Sequence, residues 1–221
     1  MYKTGELVAQ RIESYCRTWR LWIENAEGVI SGDSIMSADS SMQATSLSDD
    51  IELGAVCSQS WTMTISDTET AFLGKEYDTY LYLVDYETSG ILSDEKIPMG
   101  RFTCVKSKKS GGSVQLTMAD RLYFSDKPYV PHIPMPNWNK AVEDDICRQL
   151  GLQNGNDYTE VRLLRDKNGR RLIDKNGKVL YSKYFYFKVS SVPKDVTMRQ
   201  MLSYLASAQG EFGYVDRYGK Y

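Results

Sequence analysis

The groups most able to do chemistry are one histidine, His132, the carboxylates Asp49, Asp50 and Glu52, a second acidic run at Glu143, Asp144 and Asp145, and four cysteines, Cys16, Cys57, Cys104 and Cys147. An imidazole can serve as a base or metal ligand, converging carboxylates as acid and base, and thiolates as nucleophiles or zinc ligands. None of these chemistries is supported by the spacing. One histidine cannot build a histidine-based metal cluster, and His132 reads as a loop residue in a proline-rich stretch. Adjacent residues of an extended segment point apart, so Asp49, Asp50 and Glu52 do not converge on one bond. The run 143–145 falls at the start of a helix, where negative charge suits the dipole. The cysteines are scattered, with no CxxC pair, and read as free thiols of a reducing compartment.

Asp33, Asp39 and Asp49 lack the spacing of a calcium loop. The tetrapeptide Asp-Lys-Asn-Gly occurs at 166–169 and again at 174–177. No glutamate closes either copy, and Asn-Gly is a tight-turn signal, so both read as turns. No glycine loop suited to phosphate follows a strand, and no nucleophile elbow is present. The expectation is a non-enzyme with no catalytic, cofactor-binding or metal-binding residues and no cofactor.

The composition is that of a globular chain, with one excess: 16 Tyr beside four Trp and six Phe. Aromatic side chains fit pleated surfaces and interfaces. A formal charge of −2 supplies no long-range pull on nucleic acid, so no nucleic-acid partner is expected. The basic run at 106–109 precedes Ser-Gly-Gly and reads as a solvated hairpin tip. No apolar run is long enough to span a bilayer, so no membrane insertion is expected. The N-terminal stretch carries Glu6, Gln10, Arg11 and Glu13 and does not read as a secretory signal.

These groups would be positioned mainly by strands. Residues 17–24 alternate as a first strand. The Ser- and Asp-rich stretch after Gly28 suggests short edge strands and turns. Trp61, Met63 and Ile65 alternate with Thr62 and Thr64, as in a half-buried strand. Tyr80, Tyr82 and Val84 oppose Leu81 and Leu83, and a hairpin turns through Ser110, Gly111 and Gly112. Roughly six strands are expected up to residue 120, in a unit that would lose its edges by closing into a barrel. Three prolines between Pro131 and Pro136 predict an extended, rigid crossing.

A helix is predicted over 139–150, capped by Asn139, with Val142, Ile146 and Leu150 on one face and Gly151 as its stop. Tyr184 to Val189 reads as an aromatic strand. A second helix is predicted over 198–209. Thr197 and Gln200 form a capping box, Met201, Leu202 and Leu205 face the core, Arg199 faces solvent or a partner, and Gly210 ends it. Phe212 to Val215 then starts a hairpin, with turn residues Asp216 and Gly219, whose return strand looks cut short.

Three stretches taken in order resemble a known family. They are DIELGAVCSQSWTMTI, then KIPMGRFTCV with VQLTMADRLYFSDKPY, then AVEDDICRQLGL with TMRQMLSYLASAQGEFGYVDRYGK. The set is similar to the N-terminal structural region of the baseplate hub, or tail-associated, proteins of long-tailed phages and prophages, across residues 17–221. The first stretch departs by being Ser-rich. The resemblance implies a mainly β fold with two inserted helices, a barrel-like domain over 1–125, and a helix and β-ribbon domain over 126–221 that is incomplete at its C-terminus. It places Ile97 to Phe102 at a strand start after a long loop, Asp120 and Arg121 at the turn out of the next strand, and Asp216, Arg217 and Gly219 in the hairpin after the second helix. It further implies a homotrimer in the virion tail, made in the bacterial host cytoplasm, which joins the tail tube and distal tail proteins to a fibre, spike or lytic region. It supplies no catalytic residue. Two other readings stay open: a carbohydrate- or ligand-binding β module using Trp61, Tyr80 and Tyr82 if they face outward, and part of a tail-associated cell-wall-degrading enzyme.

Overall fold

The computed structural model describes residues 18–30, 34–43, 53–66, 71–84, 96–156, 158, 161–163, 166, 170–179, 181–183 and 186–221. The chain divides into two compact units. One gathers residues 1–44, 57–123 and 214–220; the other gathers 45–56, 124–213 and 221.

The first unit is an antiparallel sheet. Its strands are β1 (Thr18–Asn25), β2 (Gly28–Ile30), β3 (Ile35–Gln43), β4 (Val56–Ile65), β5 (Glu76–Val84), β6 (Ile97–Ser110) and β7 (Ser113–Ala119). A short β12 (Gly213–Tyr214) begins the order β12-β4-β7-β6-β5-β1-β2, and β3 pairs with β4 off this path. Among the described residues, seven strands therefore precede residue 120 where roughly six were expected. The Ser-rich stretch supplies a nine-residue strand in β3, because its backbone pairs along β4 from Ile65 to Ser58. Among the described residues the path ends at β12 and β2 without closing, so the sheet forms a half-barrel.

Alternation explains which face is buried. Met63 and Ile65 of β4, Phe102 and Cys104 of β6, and Val114, Leu116 and Met118 of β7 point into one core with Leu21, Ile23, Phe72 and Tyr77. Trp61 packs partly buried against this core, with its ring edge-on to Phe102 at 6.2 Å. It is not an outward platform. The opposite face of β1 and β5 carries cross-strand charges: Arg101 grips Asp78 at 2.7 and 2.9 Å, Arg121 meets Glu76 at 2.5 Å, and Lys96 meets Glu24 at 2.9 Å. Tyr82 also lies there, buried beneath Trp22, with ring centroids 4.8 Å apart. The β6–β7 hairpin turns at Gly111 and Gly112, both at positive φ, and leaves Lys106, Lys108 and Lys109 exposed, as expected.

The second unit holds both helices, α1 (Asn139–Leu150) and α2 (Met198–Gln209), which pack on each other. A ribbon pairs β8 (Asn137–Trp138) with β11 (Lys188–Val189), and another pairs β9 (Val161–Leu163) with β10 (Tyr181–Lys183). The helix limits match the sequence reading. Thr197 and Gln200 form the capping box, and Gly151 and Gly210 end the two helices in the left-handed conformation. Met201, Leu202 and Leu205 are buried, joined by Met198 and Ala206.

Several expectations are corrected. The N-cap of α1 is Trp138, and no side chain caps it. Asn139 is buried instead and exchanges bonds with Phe187: its N–H donates to the Phe187 carbonyl at 3.0 Å, and its Oδ1 accepts the Phe187 N–H at 3.3 Å. The proline-rich crossing is bent at residues 132–133 and 135–136 and contains a cis Met135–Pro136 bond, so it is not extended. Of the expected aromatic strand, only Lys188–Val189 is a strand; Tyr184 and Phe185 lie outside the described residues.

The backbone after α2 is not left open. Gly213 N–H donates to the Ala55 carbonyl at 2.8 Å, Asp216 N–H to the Lys220 carbonyl at 2.7 Å, and Tyr221 N–H to the Gln153 carbonyl at 2.9 Å. The chain turns at Asp216 through side-chain bonds to the N–H groups of Tyr218 and Lys220, each at 2.9 Å.

Candidate functional site

The first helix concentrates the unusual polar chemistry. An amphipathic helix should turn its carboxylates to water. Here Glu143 and Asp145 are buried, Asp145 completely. Such groups need donors, since a buried unpaired charge is costly. Glu143 receives hydrogen bonds from the Asn156 amide and the Tyr158 hydroxyl. Asp145 Oδ2 receives the Tyr129 hydroxyl at 3.0 Å, the His132 backbone N–H at 3.0 Å and Gln149 Nε2 at 3.1 Å. Its Oδ1 makes no hydrogen bond but faces the Arg148 guanidinium at 3.6 Å.

Burial pushes the Glu143 carboxyl above its ordinary value, opposed by the bonds from Tyr158 and Asn156. Tyr158 and Tyr129 are raised as phenols, mainly by burial and then by the carboxylates they serve. The buried thiol of Cys147 is pushed far up by the same desolvation and by Glu143, so it is held as an unreactive thiol. This arrangement ties Tyr129, the His132 backbone, Asn156 and Tyr158 to the helix.

Open space lies on a different side of the same helix. Trp138, Lys140, Ala141, Asp144 and Tyr186 line a cleft of about 350 Å³. Trp138 is 47% exposed and Tyr186 52% exposed. Their rings meet edge to face at 89°, with centroids 6.4 Å apart, and the buried Tyr158 ring backs Tyr186 at 5.5 Å. Lys140 Nζ donates to Asp144 Oδ2 at 2.6 Å, and Asn154 Nδ2 donates to Asp144 Oδ1 at 2.8 Å. Lys140 also lies 5.5 Å from the Tyr158 ring centre, and Lys188 lies 5.4 Å from that of Trp138. The β8–β11 ribbon, in which Lys188 pairs with Trp138, brings the Trp138 wall beside the chain that carries Tyr186. A second cleft, of about 450 Å³, lies in the first unit among Gln59, Met99 and Tyr214 to Tyr218.

The residues that invited chemistry are dispersed. His132 is exposed and contributes only its backbone N–H to Asp145. Asp49, Asp50, Glu52, Asp33, Cys16 and the first Lys-Asn-Gly, 167–169, lie outside the described residues, and Asp39 is exposed on β3. Cys57, Cys104 and Cys147 are buried and not joined in a disulfide. Among the described residues, no three His, Cys, Asp or Glu side chains gather as a metal site. The second Asp-Lys-Asn-Gly is a turn: Asp174 Oδ1 accepts from the N–H groups of Asn176 and Lys178. Arg199 does not face solvent. It bonds Asp126 Oδ1 at 2.8 Å and the Val56 carbonyl at 3.1 Å. No helix of the described residues is long and apolar enough to cross a membrane.

Sequence reasoning missed the aromatic cleft because Trp138 and Tyr186 are 48 positions apart. The available signal was Trp138 standing directly before a helix while an aromatic run stood far downstream.

These elements define a mainly β protein with two inserted helices. No protein-family model matches the chain, and no curated protein matches it. A solved structure is similar to it: the 43 kDa tail protein of prophage MuSo2 from Shewanella oneidensis, at 10% identity and a TM-score of 0.41, over 91% of this chain and 51% of that one. The chain thus spans about half the length of that protein. A likeness of this degree carries no functional argument.

Proposed function

We propose that the chain is a structural module of a phage or prophage tail, acting in the baseplate hub. In this reading it assembles as a homotrimer in the virion tail, after synthesis in the host cytoplasm. It joins the tail tube and distal tail proteins to a downstream fibre, spike or lytic region, and it has no catalytic role. What supports the reading is how the three stretches that resemble the hub family are tied together. Asp120, from the second stretch, is buried and accepts bonds from the Ser58 hydroxyl at 2.9 Å and the Gln59 N–H at 2.7 Å, both in the first. Arg199, from the third, bonds Val56 in the first and Asp126 in the second. The residues named in the resemblance are thus framework residues, bonded to one another across long sequence separations.

The test is mass by light scattering, for the chain alone and with the adjacent tail protein. A defined ring complex with that partner is expected. Failure to bind any tail component, together with turnover of peptidoglycan by this chain, overturns the reading in favour of an enzyme.

A further inference from the structure

We propose that the cleft at Trp138 and Tyr186 is a binding subsite for a sugar ring, independent of the tail reading above. The argument begins with what the cleft exposes. Two aromatic rings stand half in water at a right angle and form adjoining walls beside polar groups. They are held rigidly. Trp138 is fixed in the β8–β11 ribbon and at the first residue before α1, and Tyr186 is backed by the buried Tyr158. A rigid aromatic face binds a flat partner at little entropic cost.

The polar groups narrow the class of partner. Asp144 is held at both oxygens, by Lys140 and by Asn154, so the donor and acceptor at the edge of the cleft are preset. The ligand should therefore have one apolar face to lie on the indole and a rim of hydroxyls to exchange hydrogen bonds with Lys140 and Asp144. A pyranose has both. A purely apolar ligand would leave the Lys140–Asp144 pair to be desolvated without compensation. The volume, about 350 Å³, lies at the small end of ligand sites and suits one or two rings.

Lys188 sharpens the proposal. Its ammonium lies over the Trp138 ring. A lysine on a flexible stem is readily displaced, and a sugar would take its place on the indole. The sugar reading thus predicts opposite effects at two neighbouring positions. Trp138→Ala removes the platform and should weaken binding by about tenfold or more, the scale of one lost aromatic stacking partner. Lys188→Ala removes a competitor and should leave binding unchanged or tighter.

The experiment is saturation-transfer NMR and tryptophan fluorescence titration of the full chain with a β-1,4-linked N-acetylglucosamine tetramer and with maltotetraose. Circular dichroism confirms that each variant is folded. Tyr186→Ala removes the second ring and serves if Trp138→Ala fails to fold; it should likewise weaken binding, and binding that survives it unchanged overturns the subsite. Binding of either sugar that is lost in Trp138→Ala and kept in Lys188→Ala supports the subsite. Loss in Lys188→Ala would mean an anion site and overturns it. So would binding that survives Trp138→Ala, or no binding of either sugar.

Discussion

Arg199 and Asp126 are joined across 73 residues, with the guanidinium Nε 2.8 Å from the carboxylate. The two ends of this pair are unequal. The Arg199 side chain is 14% exposed, whereas that of Asp126 is 67% exposed. Solvent screens the Asp126 end, so the ion pair itself contributes little. The enclosed stem of Arg199 and its bond to the Val56 carbonyl contribute more.

Replacing Arg199 by Ala should therefore cost about 1–3 kcal/mol, and replacing Asp126 by Ala about 0.5 kcal/mol or less. Treated as a solvent-facing residue, Arg199 would cost no more than Asp126. Urea melts of both variants decide the matter, and equal small losses would restore the solvent-facing reading.

The buried carboxyl of Glu143 makes stability depend on pH. Burial raises its folded pKa above the ordinary value of 4.5. The folded chain then holds this proton to higher pH than the unfolded chain, so the contribution is complete below the unfolded pKa. It is lost as pH rises through the folded value. Asp120, raised by its own burial, acts in the same direction. Replacing Glu143 by Gln keeps the shape and removes the titration. Thermal melts across a pH series should show a shallower fall in Tm from about pH 4.5 upward in the variant, and an unchanged slope would show that Glu143 does not titrate differently on folding.

Sequence periodicity located both helices because their signals are local. Thr197 and Gln200 are three residues apart, and Gly210 directly follows the last helical residue, Gln209. The half-barrel strands were legible where one face is buried, as at Met63 and Ile65. The misreadings share a different cause. Asn139, Glu143, Asp145 and Arg199 are polar residues at helix positions that usually meet water, and local pattern cannot show that Phe187, Tyr158, Tyr129 or Asp126 will arrive from elsewhere to satisfy them. The aromatic cleft was hidden for the same reason, since it exists only once β11 pairs with β8.

Leu205 tests the packed face of α2. It is 2% exposed, beside Met201 and Leu202. Replacing it by Ala removes apolar contact and leaves a cavity, at a cost of about 2–5 kcal/mol. Tyr204, its neighbour on the exposed side, should cost about 0.5 kcal/mol or less as Ala. Denaturant midpoints that fall equally in both variants would show that the helix is rotated from the face described.

Gly54 tests the seam where the chain leaving α2 meets the segment before β4. Its N–H donates to the Glu211 carbonyl at 2.6 Å, and Ala55 accepts from Gly213 beside it. Gly54 has φ of +86°, and an added Cβ would collide with the Ser207 hydroxyl, lie 2.9 Å from the Ser207 Cβ and 3.1 Å from the Ser203 carbonyl. Two penalties therefore add in Gly54→Ala: a left-handed backbone, about 1–2 kcal/mol, and overpacking, about 1–3 kcal/mol. They separate in the double variant. Ser207→Gly removes the obstructing side chain but cannot relieve the backbone, so Gly54→Ala made in that background should recover the overpacking share alone. A double-mutant cycle in urea reads this directly. A coupling near zero would mean that the helix moves aside freely, and the seam would then be looser than the hydrogen bonds at Gly54 and Gly213 imply.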